Sequence, residues 1–265
     1  EPSITRVEVP VDTRAPGGTT NAYLIDGASG SVLVDPAART DALDAAVGVG
    51  DAVSVGDAGG TGDAGGIGGG GRDTETTHAV DTETTHAVDT ETTHAVDAIA
   101  VTHTHPDHVG AVAAYAELTG ATVVAHADHV NRFADATGIE PDETVRDGDR
   151  IGGSAVRAIE TPGHAADHLA FAIPSRSGGG TGDGDATDDR RELICGDLAV
   201  AEGSVVVGAP DGDVAQYLGS LERVRDADHD RLWPGHGPSI AAPGSTCQRL
   251  IDHRLARERS VLAAI

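Results

Sequence analysis

Seven consecutive residues, His103-Thr104-His105-Pro106-Asp107-His108-Val109, carry three imidazoles and a carboxylate. Buried without partners such groups are costly, whereas a divalent cation satisfies several of them at once. Histidine nitrogen and aspartate oxygen are the usual zinc ligands of this type, and a catalytic zinc site keeps one position open for water. The chemistry to expect is therefore metal-assisted hydrolysis. A solvated polar loop is the alternative for so short a motif. Three places downstream weigh against that alternative: His164 in Thr161-Pro162-Gly163-His164, Asp197 in Cys195-Gly196-Asp197, and His236 in Pro234-Gly235-His236-Gly237-Pro238.

All four places share one local grammar, in which an apolar strand ends, a turn follows and a His or Asp stands at the tip. Ala98 to Thr102 is a short strand ahead of the seven residues, and Gly110 to Leu118 has helical apolar spacing behind them. The other three are preceded by strands at Ser154 to Glu160, Leu193 to Cys195 and Arg231 to Trp233. Upstream, Ile4 to Val9, Asn21 to Asp26 and Ser31 to Asp35 alternate as an antiparallel opening, with Gly27 to Gly30 as a turn. A helix is expected over Thr40 to Val47, with Asp41 and Asp44 in its early turns where acidic charge suits the helix dipole.

The strand Ala121 to Ala125 leads to His126, Asp128 and His129, read as a polar helix start rather than as ligands. Thr144-Val145 and Arg150-Ile151 suggest a hairpin, Leu169 to Ile173 a further strand, and Val214 to Val224 a helix. Thr246 to Ile265 closes the chain as a helix rich in Arg and Leu.

Two stretches carry no core pattern. Residues 56–71 are mostly Gly with scattered Asp, residues 73–96 are three perfect copies of Asp-Thr-Glu-Thr-Thr-His-Ala-Val, and 175–192 is again Gly- and Asp-rich. The eight-residue period is far below the roughly 20–50 residues of solenoid repeats. Both regions, about 51–97 and 175–192, read as disordered acidic insertions in one domain spanning 1–245.

Acidic residues outnumber basic ones 43 to 18, for a net charge of −25, and every basic side chain is Arg. This composition resembles that of proteins from extreme halophiles, whose carboxylate surfaces stay hydrated in concentrated salt. It disfavours nucleic-acid binding through a broad basic face, because phosphate contacts need cations. Two cysteines, Cys195 and Cys247, are too few for a disulfide framework. With no apolar run of ~18 residues and no basic-then-apolar start, neither a membrane span nor a signal peptide is expected, and the expected compartment is the cytoplasm.

In their order and neighbours the four places resemble the metallo-β-lactamase superfamily, whose His-x-His-x-Asp-His signature is matched by His103, His105, Asp107 and His108. The resemblance implies an α/β fold, an αββα sandwich of two mixed sheets flanked by helices, with a two-metal site along one edge. It implies that His103, His105 and His164 hold one metal, that Asp107, His108 and His236 hold the other, and that Asp197 bridges them. Two zinc ions are the implied cofactor, with iron or manganese as alternatives on the same donors. A water shared by cations ~3.5–4 Å apart becomes a hydroxide near neutral pH and attacks a carbonyl carbon or a phosphorus. Asp107 would also orient that water, and His168 would either donate a proton to the leaving group or stand behind a ligand.

The motifs around His164, Asp197 and His236 look most like the branch containing β-lactamase-like protein 2, which includes an endoribonuclease acting on single-stranded RNA. The stretch His253-Arg254-Leu255-Ala256-Arg257-Glu258-Arg259 matches where that branch enters a small helical domain, so residues 246–265 read as the start of a missing or vestigial one. Glyoxalase II-like thioesterases share the same ligands. The leading expectation is a zinc hydrolase of small hydroxyacyl-thiol esters, with single-stranded RNA cleavage second. A non-catalytic metal-binding scaffold displaying the acidic repeat is the alternative of another class.

Overall fold

The computed structural model describes residues 2–12, 16–49, 96–173 and 191–264. The first sheet has six strands in spatial order β1 (Ser3–Pro10), β2 (Thr19–Gly27), β3 (Gly30–Val34), β4 (Ala98–Ala100), β5 (Thr122–His126) and β6 (Glu143–Val145). β1 to β3 are antiparallel, as the alternating opening predicts, while β3 to β6 pair in parallel. The second sheet runs β10 (Arg231–Pro234), β9 (Glu192–Gly196), β8 (Leu169–Ile173) and β7 (Arg157–Glu160), with only the β10–β9 pair parallel.

Strand alternation sorts the apolar side chains into three layers. On β2, Ala22 and Leu24 face one cluster while Tyr23 and Ile25 face another; on β4, Ile99 joins the first and Ala98 and Ala100 the second. The first cluster packs the outer face of the six-stranded sheet with residues of α1 (Asp41–Val47), α3 (Val112–Thr119) and α4 (Val130–Thr137). The second contains residues of both sheets, Val32 and Val34 meeting Phe171, Leu169 and Ile194, and so lies between them. The third covers the outer face of the four-stranded sheet, where Leu193 and Leu232 meet Tyr217 and Leu221 of α5 (Val214–Asp226) and Cys247, Leu250 and Ile251 of α6 (Pro243–Leu262). This is the expected αββα arrangement.

Several local expectations are corrected. The helix expected over Gly110 to Leu118 is α3, and an unexpected helical turn, α2 (Pro106–Val109), precedes it, so that Asp107 and His108 lie on a turn of their own. No hairpin joins Thr144 to Ile151: β6 pairs with β5, and Arg150 and Ile151 meet Arg157 and Val156 instead. β7 begins only at Arg157. His129 takes the N-cap position of α4 but makes no capping hydrogen bond, and Asp128 pairs with Arg146. The two composition-biased stretches fall almost wholly outside the described residues. At their margins, Val96 packs into the first core cluster, and the Asp97 carboxylate accepts from Ser31 N at 2.8 Å.

Among the described residues no helix is long and apolar enough to cross a membrane. Phe171 is fully buried between the sheets, whereas Leu118 is 43 % exposed. Phe171→Ala should therefore cost about 3–5 kcal/mol and Leu118→Ala less than about 0.5, read from denaturant unfolding in molar KCl.

Candidate metal centre

The strand ends deliver the predicted residues to one place. His103 and His105 follow β4, Asp107 and His108 ride on α2, His164 follows β7, Asp197 follows β9 and His236 follows β10. Candidate donor atoms of His103, His105 and His164 lie within 4.8 Å of one another, as do those of His103, His108 and Asp197 and those of Asp107, His108 and His236. All seven residues singled out by type and spacing are thus brought together. His103, His108, His164, Asp197 and His236 are buried, while His105 and Asp107 are half-buried.

Close approach of the strand ends requires glycine at two positions. A Cβ on Gly235 would stand 2.5 Å from Asp197 Oδ1, and one on Gly196, at φ +47°, would meet Thr102 Cβ at 2.7 Å. Both glycines stand directly before a site residue, so a side chain at either would push a candidate ligand out of place.

The hydrogen bonds on the outer edges of the rings decide what faces inward. His108 Nδ1 donates to Asp35 Oδ2 at 2.9 Å, His164 Nδ1 to Val206 O at 2.7 Å and His236 Nδ1 to Thr19 O at 2.8 Å. His105 Nε2 donates to Asp211 Oδ2 at 2.8 Å. Thr102 Oγ1 gives its proton to Asp35 Oδ2 at 2.7 Å and so accepts from His103 Nδ1 at 3.1 Å. Each imidazole has one proton when neutral, and in all five it is assigned to the outer nitrogen by these partners.

In the neutral rings the inner nitrogens are therefore bare lone pairs. His105 Nδ1 lies 2.9 Å from His103 Nε2 and 3.0 Å from His164 Nε2, with no proton assigned to any of the three. His108 Nε2, His236 Nε2 and Asp197 Oδ1 are buried and have no hydrogen-bond partner. His236 Nε2 is 3.4 Å from Asp197 Oδ2 and 3.5 Å from Asp107 Oδ2. Convergent lone pairs and orphaned buried polar atoms fit a site for cations.

The electrostatics of the protein by itself divide the rings: His103 and His164 favour the neutral form, whereas the carboxylates around His108 and His236 draw positive charge to that side of the cluster. Burial, reinforced by the neighbouring rings, holds His103 well below the usual imidazole range, and burial also lowers His164. For His108 burial again lowers the pKa, but Asp35, Asp197 and Asp107 together outweigh it and push the group up to about 9. For Asp197 burial acts upward, and His236, His108 and His164 more than offset it, holding the carboxyl below the usual range.

His168 stands behind the site. Its Nε2 accepts from Asp197 N at 3.1 Å, its Nδ1 meets Thr161 Oγ1 at 2.8 Å, and burial followed by the nearby His164 lowers it to about 3. With Nε2 accepting from the Asp197 amide, the one proton of the neutral ring is on Nδ1, facing the buried Thr161 Oγ1. Cys195 is fully buried and burial pushes its thiol well above the usual range, while Cys247 rises to about 11 for the same reason.

Sequence reading passed over Asp35. It follows β3 directly, is fully buried, and sits at φ +52°, a strained conformation for a residue with a side chain. Thr102 N donates to its Oδ1 at 2.6 Å while Thr102 Oγ1 and His108 share its Oδ2. A carboxylate directly after the apolar run Val32-Leu33-Val34 was the available signal.

A two-sheet sandwich with clustered histidines and aspartates at its strand tips is the class that fold and site define. Residues 95–236 match the metallo-beta-lactamase superfamily, and the chain belongs to that superfamily. The Beta-lactamase-like protein 2 homolog of Caenorhabditis elegans is 29 % identical over 169 residues, covering 63 % of this chain and 51 % of the relative. The Atrochrysone carboxyl ACP thioesterase of Aspergillus fumigatus is 27 % identical over 175 residues, covering 63 % and 46 %. The chain thus matches about half the length of these curated relatives. Among solved structures, a metallo-beta-lactamase family protein from Thermus thermophilus shares the fold with a TM-score of 0.62 at 21 % identity, over 98 % of this chain and 82 % of that one.

Removing the Asp35 carboxylate leaves Thr102 N and His108 Nδ1 buried without an acceptor. Asp35→Ala should destabilise the protein by about 3–5 kcal/mol and weaken metal binding roughly 10–100-fold, measured by denaturant unfolding and by competition with a chelating dye. Neither buried cysteine should react with iodoacetamide at pH 8 in the native protein, and both should once it is unfolded, as mass spectrometry would show.

Proposed function

We propose that the chain is a dinuclear metal-dependent hydrolase of thioesters. His103, His105 and His164 would hold one metal and Asp107, His108 and His236 the other, with Asp197 within reach of both groups. The observation that carries this reading is the set of five imidazoles whose outer nitrogens are committed as donors, leaving their inner lone pairs converging beside two carboxylates. Divalent cations bound there, zinc by the character of the donors, would supply an acidified water and Lewis-acid stabilisation of the attacked oxygen.

The protein's own residues do the positioning. Asp107, half-buried at the open side of the cluster, accepts a hydrogen bond from the attacking water and aligns it. His168 acts through Asp197, fixing that residue by accepting its backbone N–H. His236 keeps its ring in register through Thr19 O while Gly235 lets it approach Asp197.

For the substrate, the supporting observation is a cavity of about 230 Å³ beside His236, walled by Gly17, Val200, Ala201 and Pro238 with Glu202 as its charged member. Such a wall suits the apolar part of an acyl group and offers no cation to a phosphodiester backbone. A fungal relative named as an acyl-carrier-protein thioesterase supports the same substrate class.

Purified protein in molar KCl should carry about two divalent ions per chain, and should turn over a hydroxyacyl-thiol ester in a reaction stopped by chelator and restored by zinc. Asp197→Ala or His105→Ala should reduce that turnover to background with an unchanged far-UV circular dichroism spectrum. Cleavage of a fluorescent single-stranded RNA without thioester turnover would overturn the substrate assignment, and protein devoid of metal and of both activities would overturn the hydrolase reading.

A further inference from the structure

Four of the five ring acceptors belong to the buried framework or to main chain: Thr102, Asp35, Val206 O and Thr19 O. The fifth does not. Asp211, which accepts from His105, is a side chain 22 % exposed on the segment between β9 and α5, and His105 itself is 30 % exposed. Left to itself, such a carboxylate on a surface segment would hold the ring loosely.

It is held by Arg132 of α4. The guanidinium forks onto Asp211, Nη1 to Oδ1 at 2.5 Å and Nη2 to Oδ2 at 2.6 Å, the bidentate geometry that fixes a carboxylate in plane. Its remaining nitrogen, Nε, donates to Thr104 Oγ1 at 2.6 Å and stands 3.2 Å from Asp167 Oδ1. Thr104 lies between His103 and His105 and binds Asp167 Oδ2 through both its N and its Oγ1, at 3.0 and 2.7 Å. Asp167, 4 % exposed, belongs to the turn that presents His164.

One guanidinium therefore ties together the two segments that supply the three-histidine cluster and the segment that sets the ring of its most exposed member. We propose that Arg132 is a positioning residue for the His103, His105 and His164 cluster, acting through Asp211 and Thr104 and controlling how tightly that cluster holds a metal. Without it, the Asp167 and Asp211 carboxylates lose the cation between them, and His105 loses its fixed acceptor. This role rests on the metal-centre reading above, and it predicts an effect on one half of the site only, because His108 and His236 take their orientation from Asp35 and Thr19.

The test is zinc affinity of the purified full chain, measured by competition with a chromophoric chelator, in wild type and in Arg132→Gln, Arg132→Lys, Asp211→Asn and the Arg132→Gln/Asp211→Asn double variant. Arg132→Gln should weaken one of the two zinc equivalents roughly 10–100-fold and leave the other within about twofold. Arg132→Lys, which keeps the charge and loses the fork, should fall between. The double variant should be no weaker than the worse single one, because both act on the same ring. Arg146→Gln, which breaks the exposed pair with Asp128, should change neither equivalent.

In the metal-free protein, histidine ring nitrogen NMR should show His105 protonated at Nε2 in wild type and as a tautomer mixture in Arg132→Gln. The NMR arm and Asp211→Asn keep the test open if Arg132→Gln folds poorly. Unchanged affinities in folded variants of a wild type that binds two zinc ions would overturn the role of Arg132 alone. Wild-type protein that binds no zinc would overturn the metal-centre reading, and the role with it.

Discussion

Five imidazole lone pairs converge in this protein on a space flanked by two carboxylates, and little of that arrangement is favourable without positive charge at its centre. Neutral rings with facing lone pairs repel, and the buried oxygens and nitrogens beside them have surrendered their water. What prevents relaxation is the row of acceptors behind the rings: Asp35, Thr102, Val206 O, Thr19 O and Asp211. Each takes one ring proton and so selects one tautomer. The site is a set of chosen tautomers before it is a set of candidate ligands.

The sandwich exists, in this light, to bring the acceptors and rings to one edge. Asp35 comes from the end of β3 and Thr102 from just beyond β4, neighbouring parallel strands of one sheet; Asp197 and His236 follow β9 and β10, the parallel pair of the other. Parallel neighbours end on the same side, so their tips can share a cluster. The apolar layer between the sheets, in which Tyr23, Val34, Phe171 and Ile194 meet, fixes the distance across which those tips face each other. Asn21 and Tyr23 of the first sheet also bind Pro234 O of the second, tying the His236 turn down.

All basic side chains here are arginines, and on an acidic chain their placement is informative. Arg249 of α6 binds the carbonyls of Val200, Ala201 and Gly203, and Arg254 binds that of Val205, so the helix grips the near part of the segment after Asp197. Arg132 holds its far part through Asp211. Arg6 reaches Gly237 O on the opposite side of the His236 turn. Flat guanidinium groups suit carbonyls and carboxylates at a crowded rim, where they bind several acceptors at fixed angles.

The residue types, their spacing and the strand ahead of each group were enough to single out His103, His105, Asp107, His108, His164, Asp197 and His236 as candidates, because a cation site demands particular side chains; five of them follow strand ends, and Asp107 and His108 ride on α2 just behind. Strand alternation likewise made the antiparallel opening legible. Only the tertiary structure decided what stands behind the rings. Asp35, Asp211 and Arg132 lie 73, 106 and 28 positions from the residues they bind, and neither local period nor motif can report such a pairing. His168 shows the limit from the other side. Its position four residues after His164 fits either a proton donor or a support, and only folding places the Asp197 amide against its Nε2. A side chain's type is set along the chain, but which of its atoms carries the proton depends on neighbours that only folding brings within reach.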